Sequence, residues 1–204
     1  MNRTIEFINK QLKMKKLLFI VAMMLHMTSN SQSYNGIKVG QSLEITKAAV
    51  LAKGFKFIKK HTENSYTYQK KINGLLVKLH LVVTPNSNVV WKFLVYVDEN
   101  TSWYDSKKSY INMMDILSKK YGAPSNTLVE WENPYYEGDG YEMQAIYLNK
   151  CKMLTFFNDE EGNFITLDIG SFTVDKTIIM IHYENKNAHK IKEKETERVN
   201  QQIY

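Results

Sequence analysis

Apolar and polar residues follow helical spacing in two segments of the chain. Residues 42–53 place their larger apolar side chains on one helical face, with Ser42 as the N-cap and Gly54 as the stop signal. Residues 104–121 repeat this spacing and end at Gly122. The sequence therefore predicts two helices, each with one apolar face to bury.

Alternating positions between these helices predict strands. Residues 65–72 and 75–83 flank Asn73 and Gly74, the dipeptide that best suits a two-residue hairpin because both positions require positive φ. This turn sets the register and gathers the large apolar groups on one face, with Tyr68 opposite Leu79 among the predicted pairs.

A third strand is predicted to follow the connection around residues 84–88. Placing Val83 opposite Val89 brings Leu81 opposite Trp91, so all three strands share one apolar face.

Strand patterns resume after the second helix, with Asn158 predicted to lie opposite Asn163 and Phe156 opposite Ile165. The later strands are predicted at residues 127–132, 141–148, 153–158, 163–169 and 177–183.

These elements predict an α+β fold, a largely antiparallel sheet with helices packed on one face. The stretches 35–102 and 103–185 each read as a helix followed by strands, and Gly54 aligns with Gly122. A tandem duplication explains this likeness, and so does a capping rule shared by two unrelated helix ends.

The N-terminal residues 1–31 have the order of a secretory signal peptide. Lysines at 13, 15 and 16 precede an apolar stretch of eleven residues, Leu17 to Met27, and Ser29 and Ser31 then have the spacing of a cleavage site. A spanning helix needs about 20 apolar residues, so we expect no stable membrane anchor. Met14 is an alternative start. The expected location is secreted or periplasmic.

Charge changes the picture once this segment is set aside. The whole chain has 27 basic and 21 acidic residues, but residues 32–185 have 17 of each. A neutral body argues against a nucleic-acid partner. Residues 186–204 form a charged tail with five basic and three acidic residues, either a docked helix or a frayed terminus.

The only cysteine, Cys151, falls in a predicted turn at residues 149–152. An unpaired thiol in an oxidising compartment is either tolerated or able to link two chains.

No local motif identifies an enzyme. The histidines lack zinc spacing, and there is no nucleophile elbow, phosphate loop or dinucleotide fingerprint. Acidic turns at residues 137–140 and 158–163 have oxygen ligands for calcium, but they do not have EF-hand spacing and are also ordinary hairpin turns. We therefore predict no catalytic residue, no metal and no cofactor.

The segments 36–42, 53–55 and 120–124 give the chain a family resemblance. It resembles small secreted bacterial proteins whose helix-plus-sheet repeats are similar to those of the beta-lactamase inhibitor protein. This resemblance implies an exported module that binds another protein through an open sheet face. The inhibitor's disulfides and binding residues have no counterparts in this chain.

The face of the first sheet opposite its apolar side is the candidate partner surface. The predicted register places His80 beside Lys92, Lys78 beside Leu94, and Leu76 beside Tyr96. Apolar and aromatic groups on a face that is normally polar favour a protein or peptide partner. The alternative explanation is that the C-terminal helix or an N-terminal segment covers this face.

The main functional hypothesis is thus an exported, non-catalytic binding module with Lys78, His80, Lys92, Leu94 and Tyr96 as partner-binding residues. One alternative is an envelope hydrolase that uses Glu137 and Asp139 of the Tyr135–Tyr141 loop. Another is a structural component that assembles through sheet edges or Cys151. The sequence leaves the oligomeric state open.

Overall fold

The computed structural model describes residues 33–203, and strands dominate this part of the chain. The strands are β1 Ser33–Tyr34, β2 Ile37–Lys38, β3 Lys56–Thr62, β4 Ser65–Ile72, β5 Leu75–Val83, β6 Val90–Asn100, β7 Asn126–Trp131, β8 Cys151–Asn158, β9 Phe164–Thr173 and β10 Lys176–Glu184. The helices are α1 Leu43–Ala52, α2 Trp103–Tyr121, α3 Glu142–Tyr147 and α4 Lys186–Ile203.

Eight of the strands form one antiparallel sheet in the order β3-β4-β5-β6-β10-β9-β8-β7. Each half of this sheet is a run of four consecutive strands that follows a long helix, and the two halves meet where β6 pairs with β10. The predicted α+β class with a largely antiparallel sheet is confirmed. An origin by duplication stays a prediction.

A serine caps the N-terminus of α1 and another caps that of α2. The Ser42 hydroxyl accepts from the Ile45 backbone N–H at 3.5 Å, and the Ser102 hydroxyl accepts from that of Asp105 at 3.1 Å. At the other end of α2, Gly122 has φ of 85°, which a residue with a side chain rarely adopts. These local signals explain why the positions of α1 and α2 could be predicted from the sequence.

The hairpin between β4 and β5 has the predicted turn. Asn73 and Gly74 have φ of 48° and 87°, as a type I′ turn requires. The register that follows places Tyr68 opposite Leu79, as predicted.

One face of the sheet is buried, and we call it the core face. It carries side chains without solvent exposure, including Leu79, Leu81, Phe93, Val95 and Ile165. The helices α1 and α2 both contribute to this core, α1 through Leu43 and Val50 and α2 through Tyr110 and Leu117. The opposite side, which carries Lys78, His80, Leu94 and Tyr96, is the open face.

A β-bulge corrects the predicted register between β5 and β6. Val83 pairs with Val90, and Val82 pairs with Lys92, so Trp91 is an extra residue. Leu81 therefore lies opposite Phe93, and the predicted pairing of Leu81 with Trp91 is wrong.

The register between β8 and β9 also differs from the prediction, by one residue. Asn158 pairs with Phe164, and Phe157 pairs with Ile165, because the turn takes in residues 159–163. Phe156, predicted opposite Ile165, consequently lies on the open face.

The predicted strand at residues 141–148 is wrong, because α3 forms there. Its buried residues are Glu142, Ala145 and Ile146, whose spacing of three and one is helical. The segment alternates apolar and polar residues closely enough to imitate a strand. Conversely, the sequence missed β3, whose seven residues are all exposed at the sheet edge.

Two leucines of β5, Leu76 and Leu79, test the assignment of faces. We expect Leu79→Ala, on the core face, to lower the free energy of unfolding by about 2–5 kcal/mol because it leaves a cavity. Leu76→Ala, on the open face, should cost less than about 1 kcal/mol. Urea unfolding of both variants measures this, and equal losses would contradict the assignment.

Candidate functional site

All five predicted partner-binding residues lie on the open face, but their neighbours differ from the prediction. Lys78 pairs with Tyr96 and His80 pairs with Leu94, whereas Lys92 lies opposite Val82. The predicted neighbours of Lys78 and His80 were wrong by two residues: Val83 pairs with Val90 instead of Val89, and the bulge at Trp91 adds the second shift.

His80 is held by hydroxyl groups of the neighbouring strand β4. Its Nε2 lies 2.7 Å from Ser65 Oγ, and its Nδ1 lies 2.8 Å from Thr67 Oγ1. Thr67 Oγ1 also lies 2.7 Å from His61 Nε2. Desolvation, followed by the nearby charges of His61 and Lys59, lowers the pKa of His80 to about 4. The His80 ring is therefore neutral at physiological pH and has a positioning role within the sheet.

Lys92 is occupied by an ion pair. Its Nζ lies 2.6 Å from Glu184 Oε1, and the two side chains are 17% and 20% exposed. Desolvation is the largest effect and acts to raise the pKa of Glu184, but the hydrogen bond and charge of Lys92, together with the charges of His189 and His182, outweigh it and lower that pKa. Because its charge is already paired, Lys92 has little to offer a partner.

The C-terminal helix α4 covers this end of the open face. The Trp91 ring contacts the His189 ring edge-on at 5.2 Å between centroids, and Lys192 Nζ lies 5.6 Å from the Trp91 ring. His189 Nδ1 also lies 3.3 Å from Glu184 Oε2. The tail of the sequence is thus a docked helix, anchored on the bulged tryptophan.

A second contact fixes α4 to the turn between β5 and β6. The carboxylate of Glu195 accepts hydrogen bonds from the backbone N–H groups of Asn86 at 2.7 Å and Ser87 at 3.2 Å. Desolvation is the largest effect and acts to raise the pKa of Glu195, but a hydrogen bond with the Ser87 side chain, the two backbone hydrogen bonds and the charge of Arg198 together outweigh it and lower that pKa. A buried carboxylate bonded to two backbone donors is a strong local anchor.

Large apolar side chains remain exposed at the opposite end of the open face. Leu76 is 53% exposed and Phe172 is 70% exposed. The Phe172 ring contacts Tyr96 edge-on at 5.9 Å between centroids. We call Leu76, Tyr96 and Phe172 the open-face patch.

Two clefts flank this patch. The first, of about 200 Å³, lies between β5, β6 and β10, and its lining includes Lys78, Tyr96 and Ile178. The second, of about 320 Å³, is lined by residues of β8, β9 and β10, including Phe172 and Met180. Leu76 and Tyr96 line the first cleft and Phe172 lines the second, so the patch borders both depressions, a relief that suits an irregular partner surface.

The Tyr135–Tyr141 loop and α2 line a larger groove, of about 450 Å³. The acids of this region already have partners: Glu137 pairs with Lys107, Glu142 Oε1 accepts from Gly138 N–H, and Asp139 accepts from the backbone of its own loop. The lining of the groove contains no histidine among the described residues. The groove thus lacks the acid and histidine pairing that the hydrolase hypothesis needs.

Asp159 organises the acidic turn that was considered for calcium. Its Oδ1 accepts from the backbone N–H groups of Glu161 and Asn163, and its Oδ2 accepts from the Asn163 side-chain amide. Across residues 33–203, there is no cluster of three or more His, Cys, Asp or Glu residues that could hold a metal ion. The turn has a structural explanation.

Cys151 is the first residue of β8, not a turn residue as predicted, and it is 5% exposed. Burial raises the pKa of its thiol to about 12. A protonated, enclosed thiol is a poor nucleophile and a poor link between chains.

The sequence identified Leu76 and Tyr96 but missed Phe172 and Met180. These two belong to β9 and β10, and they reach the patch only because β10 pairs with β6. The chain carries no local signal for a pairing between such distant strands.

No protein-family model, curated protein or solved structure matches this chain. The resemblance to the repeats of the beta-lactamase inhibitor protein therefore stays a prediction. Within the described residues, none of the helices is both long enough and apolar enough to cross a bilayer.

The low pKa of His80 makes stability depend on pH. Unfolded histidine takes up a proton near pH 6.5, whereas folded His80 does so only near pH 4, so stability is lost as pH falls through this window. We expect His80→Gln to reduce the loss between pH 7 and pH 5 by on the order of 1 kcal/mol, allowing for solvent screening.

Chemical denaturation at both pH values measures this difference. Leu76→Ala, on the same strand and face but not paired with His80, adds no titratable group and should keep the wild-type difference between the two pH values. An unchanged difference in His80→Gln would contradict the assignment.

The Glu195 anchor also has a direct test. Glu195→Gln should lower the free energy of unfolding by about 1–2 kcal/mol and speed hydrogen exchange in residues 84–89 and 186–199. Because the pKa of Glu195 is lowered by folding, its contribution is present at neutral pH and lost under acid. Glu197→Gln, exposed on the same helix, is the control, and equal exchange in both variants would refute the anchor.

Proposed function

We propose that this chain is an exported, non-catalytic binding module that recognises a protein or peptide through the open-face patch. The export component rests on the order of charged, apolar and small residues in 1–31, which lie outside the described residues. The binding component rests on the open face.

The main support for the binding component is that the two ends of the open face differ in how far they are covered. The end with Trp91 and Glu184 is covered by α4, whereas Leu76 and Phe172 at the other end stay more than half exposed. Adjacent exposed aromatic and aliphatic groups are typical of protein-binding surfaces, and tyrosine is enriched among the residues that dominate binding energy.

The residues predicted for binding divide into two groups on this basis. Lys78, Leu94 and Tyr96 lie at or beside the patch, and we propose that they contact the partner. His80 and Lys92 are held by intramolecular partners, and we propose that they shape the face without contacting the partner.

The proposal is non-catalytic because the acids that line the groove of about 450 Å³ have structural partners. The acids of the Tyr135–Tyr141 loop bind Lys107 and backbone N–H groups, which leaves no free pair of an acid and a histidine beside this groove in the described part of the chain. The buried thiol of Cys151 equally disfavours assembly through a disulfide.

Photo-crosslinking tests the surface directly. A benzoylphenylalanine at Phe172 should form a discrete adduct with a partner from the secreted or periplasmic fraction of the native cell. The same group at Tyr104, which is 74% exposed on α2, is the control. Unlabelled wild type should compete for the adduct, and folded Tyr96→Asp should compete at least about 30-fold less well, which corresponds to about 2 kcal/mol.

Identical adducts from both positions, or equal competition by wild type and Tyr96→Asp, would reject the open-face patch as the binding surface. Circular dichroism of the variant establishes that it is folded.

A further inference from the structure

The neutral body of this chain conceals a strong separation of charge. Residues 56–83, which form β3, β4 and β5, contain six lysines and one acidic residue, Glu63. Residues 126–173, which include β7, β8 and β9, contain nine acidic residues and two lysines. The two charges cancel in the total, so composition alone gives no sign of this polarity.

The sheet order turns this separation along the sequence into a separation in space. The strand β3 is one free edge of the eight-stranded sheet and β7 is the other, with β6 and β10 between the two charged halves. We call β3 the basic edge, and β7 together with Glu132 the acidic edge. The acidic edge contains Glu130 and Glu132, and the other acids of residues 126–173 lie in the loop and helix that follow β7, in the turn between β8 and β9, and in β9. A molecule with opposite charges at opposite edges attracts a second copy in the head-to-tail orientation and repels it when like edges meet.

The charged groups of the basic edge are available to a partner. All seven residues of β3 are exposed, and Lys56 and Lys59 form no ion pair with another described residue. Lys60 pairs with Glu63 at 2.5 Å, and the two side chains are 39% and 90% exposed. Such exposed pairs contribute little energy and exchange readily.

The acidic edge presents carboxylates in a similar state. Glu130 lies 3.8 Å from Lys152, and Glu132 lies 2.6 Å from Lys150, with all four side chains 44–54% exposed. Lysines of a second copy can replace these partners at small cost.

The acidic edge also offers backbone hydrogen-bonding groups. The strand β7 pairs with β8 without a register shift. The Glu132 N–H donates to the Lys150 carbonyl, so even-numbered residues of β7 face β8. The main-chain groups of Val129 and Trp131 consequently point away from the sheet, and the Val129 side chain is 51% exposed, whereas the Thr127 N–H already donates to Asn126 Oδ1 at 2.9 Å. No lysine, proline or bulge guards this edge.

The basic edge has features that prevent unselective strand pairing. Two register shifts interrupt β3, and its lysines discourage pairing with another basic strand. These features exclude contact between two basic edges but favour contact with an acidic one. Attraction between side-chain charges therefore selects the orientation.

We propose that this chain associates with a second copy of itself head to tail, the basic edge of one molecule against the acidic edge of the next. This contact is independent of the open-face patch. A head-to-tail pair still has one free basic edge and one free acidic edge. Further molecules can therefore add at both ends, and the assembly lengthens as protein concentration rises.

Sedimentation velocity of the full chain tests the proposal through its salt dependence. Charge screening acts over about 30 Å at 0.01 M salt and about 3 Å at 1 M salt. We expect the mean mass to rise with concentration at about 0.01 M salt and to fall to that of the monomer near 1 M salt.

Charge reversal identifies the edges. A basic-edge variant carries Lys56→Glu, Lys59→Glu and Lys60→Glu, and an acidic-edge variant carries Glu130→Lys and Glu132→Lys. Each alone should associate at least tenfold more weakly than wild type at low salt, on the order of 1.4 kcal/mol. An equal mixture of the two should associate again, because opposite edges are then available. A chain with all five changes should also associate.

The matched control carries Lys108→Glu, Lys119→Glu and Lys194→Glu, three exposed positions away from both edges with the same change in net charge. It should associate like wild type. Tyr96→Asp should also associate like wild type, which separates this proposal from that of the open-face patch.

Several outcomes would overturn the proposal. These are a wild type that is monomeric at low salt, a mixture that stays monomeric, and a control that dissociates as much as the basic-edge variant. A monomeric wild type that binds phosphatidylglycerol vesicles through the basic edge would assign this edge to an anionic surface instead. If a reversed variant does not fold, the salt dependence and the Glu130→Lys, Glu132→Lys chain still decide the question.

Discussion

The pairing of β6 with β10 is the constraint on which the rest of the structure depends. It joins two four-strand runs into one sheet, so that Val95 and Ile181 lie side by side in a single buried layer. It also places β3 and β7 at opposite edges of the sheet. Only β10 then separates β9 from β6, so residues of β9 can reach the first half of the open face. The open-face patch and the separation of charge both follow from this one adjacency.

The helix α4 gives the open face its asymmetry. Trp91 leaves the regular ladder at a bulge, and its ring becomes the anchor for His189 and Lys192. Glu195 then fastens the helix to the next turn. A feature that interrupts the sheet thus determines which half of its face is covered, and by default which half a partner can reach.

Features encoded by neighbouring residues could be predicted from the sequence. The Asn73–Gly74 turn requires positive φ at both positions, which this dipeptide favours. The serine caps of α1 and α2 accept hydrogen bonds from backbone N–H groups of the first turn of the same helix. These elements therefore needed no tertiary information. The bulge at Trp91 and the helix at residues 142–147 were missed, because a single added residue and a short amphipathic segment leave the alternating pattern nearly unchanged. The position of Phe172 could not be predicted, since it depends on strands that meet only in the folded sheet.

The enclosure of Cys151 has a consequence for how the molecule ages in an oxidising medium. A thiol with a pKa near 12 is almost wholly protonated at neutral pH, and neither oxidants nor disulfide catalysts react readily with it. The protection exists only after β8 has taken its place between β7 and β9, so unassembled chains expose a sulfur that native ones conceal. Disulfide-linked dimers in a preparation would therefore come from chains that failed to fold. A low proportion of such dimers would indicate that most of the protein is folded.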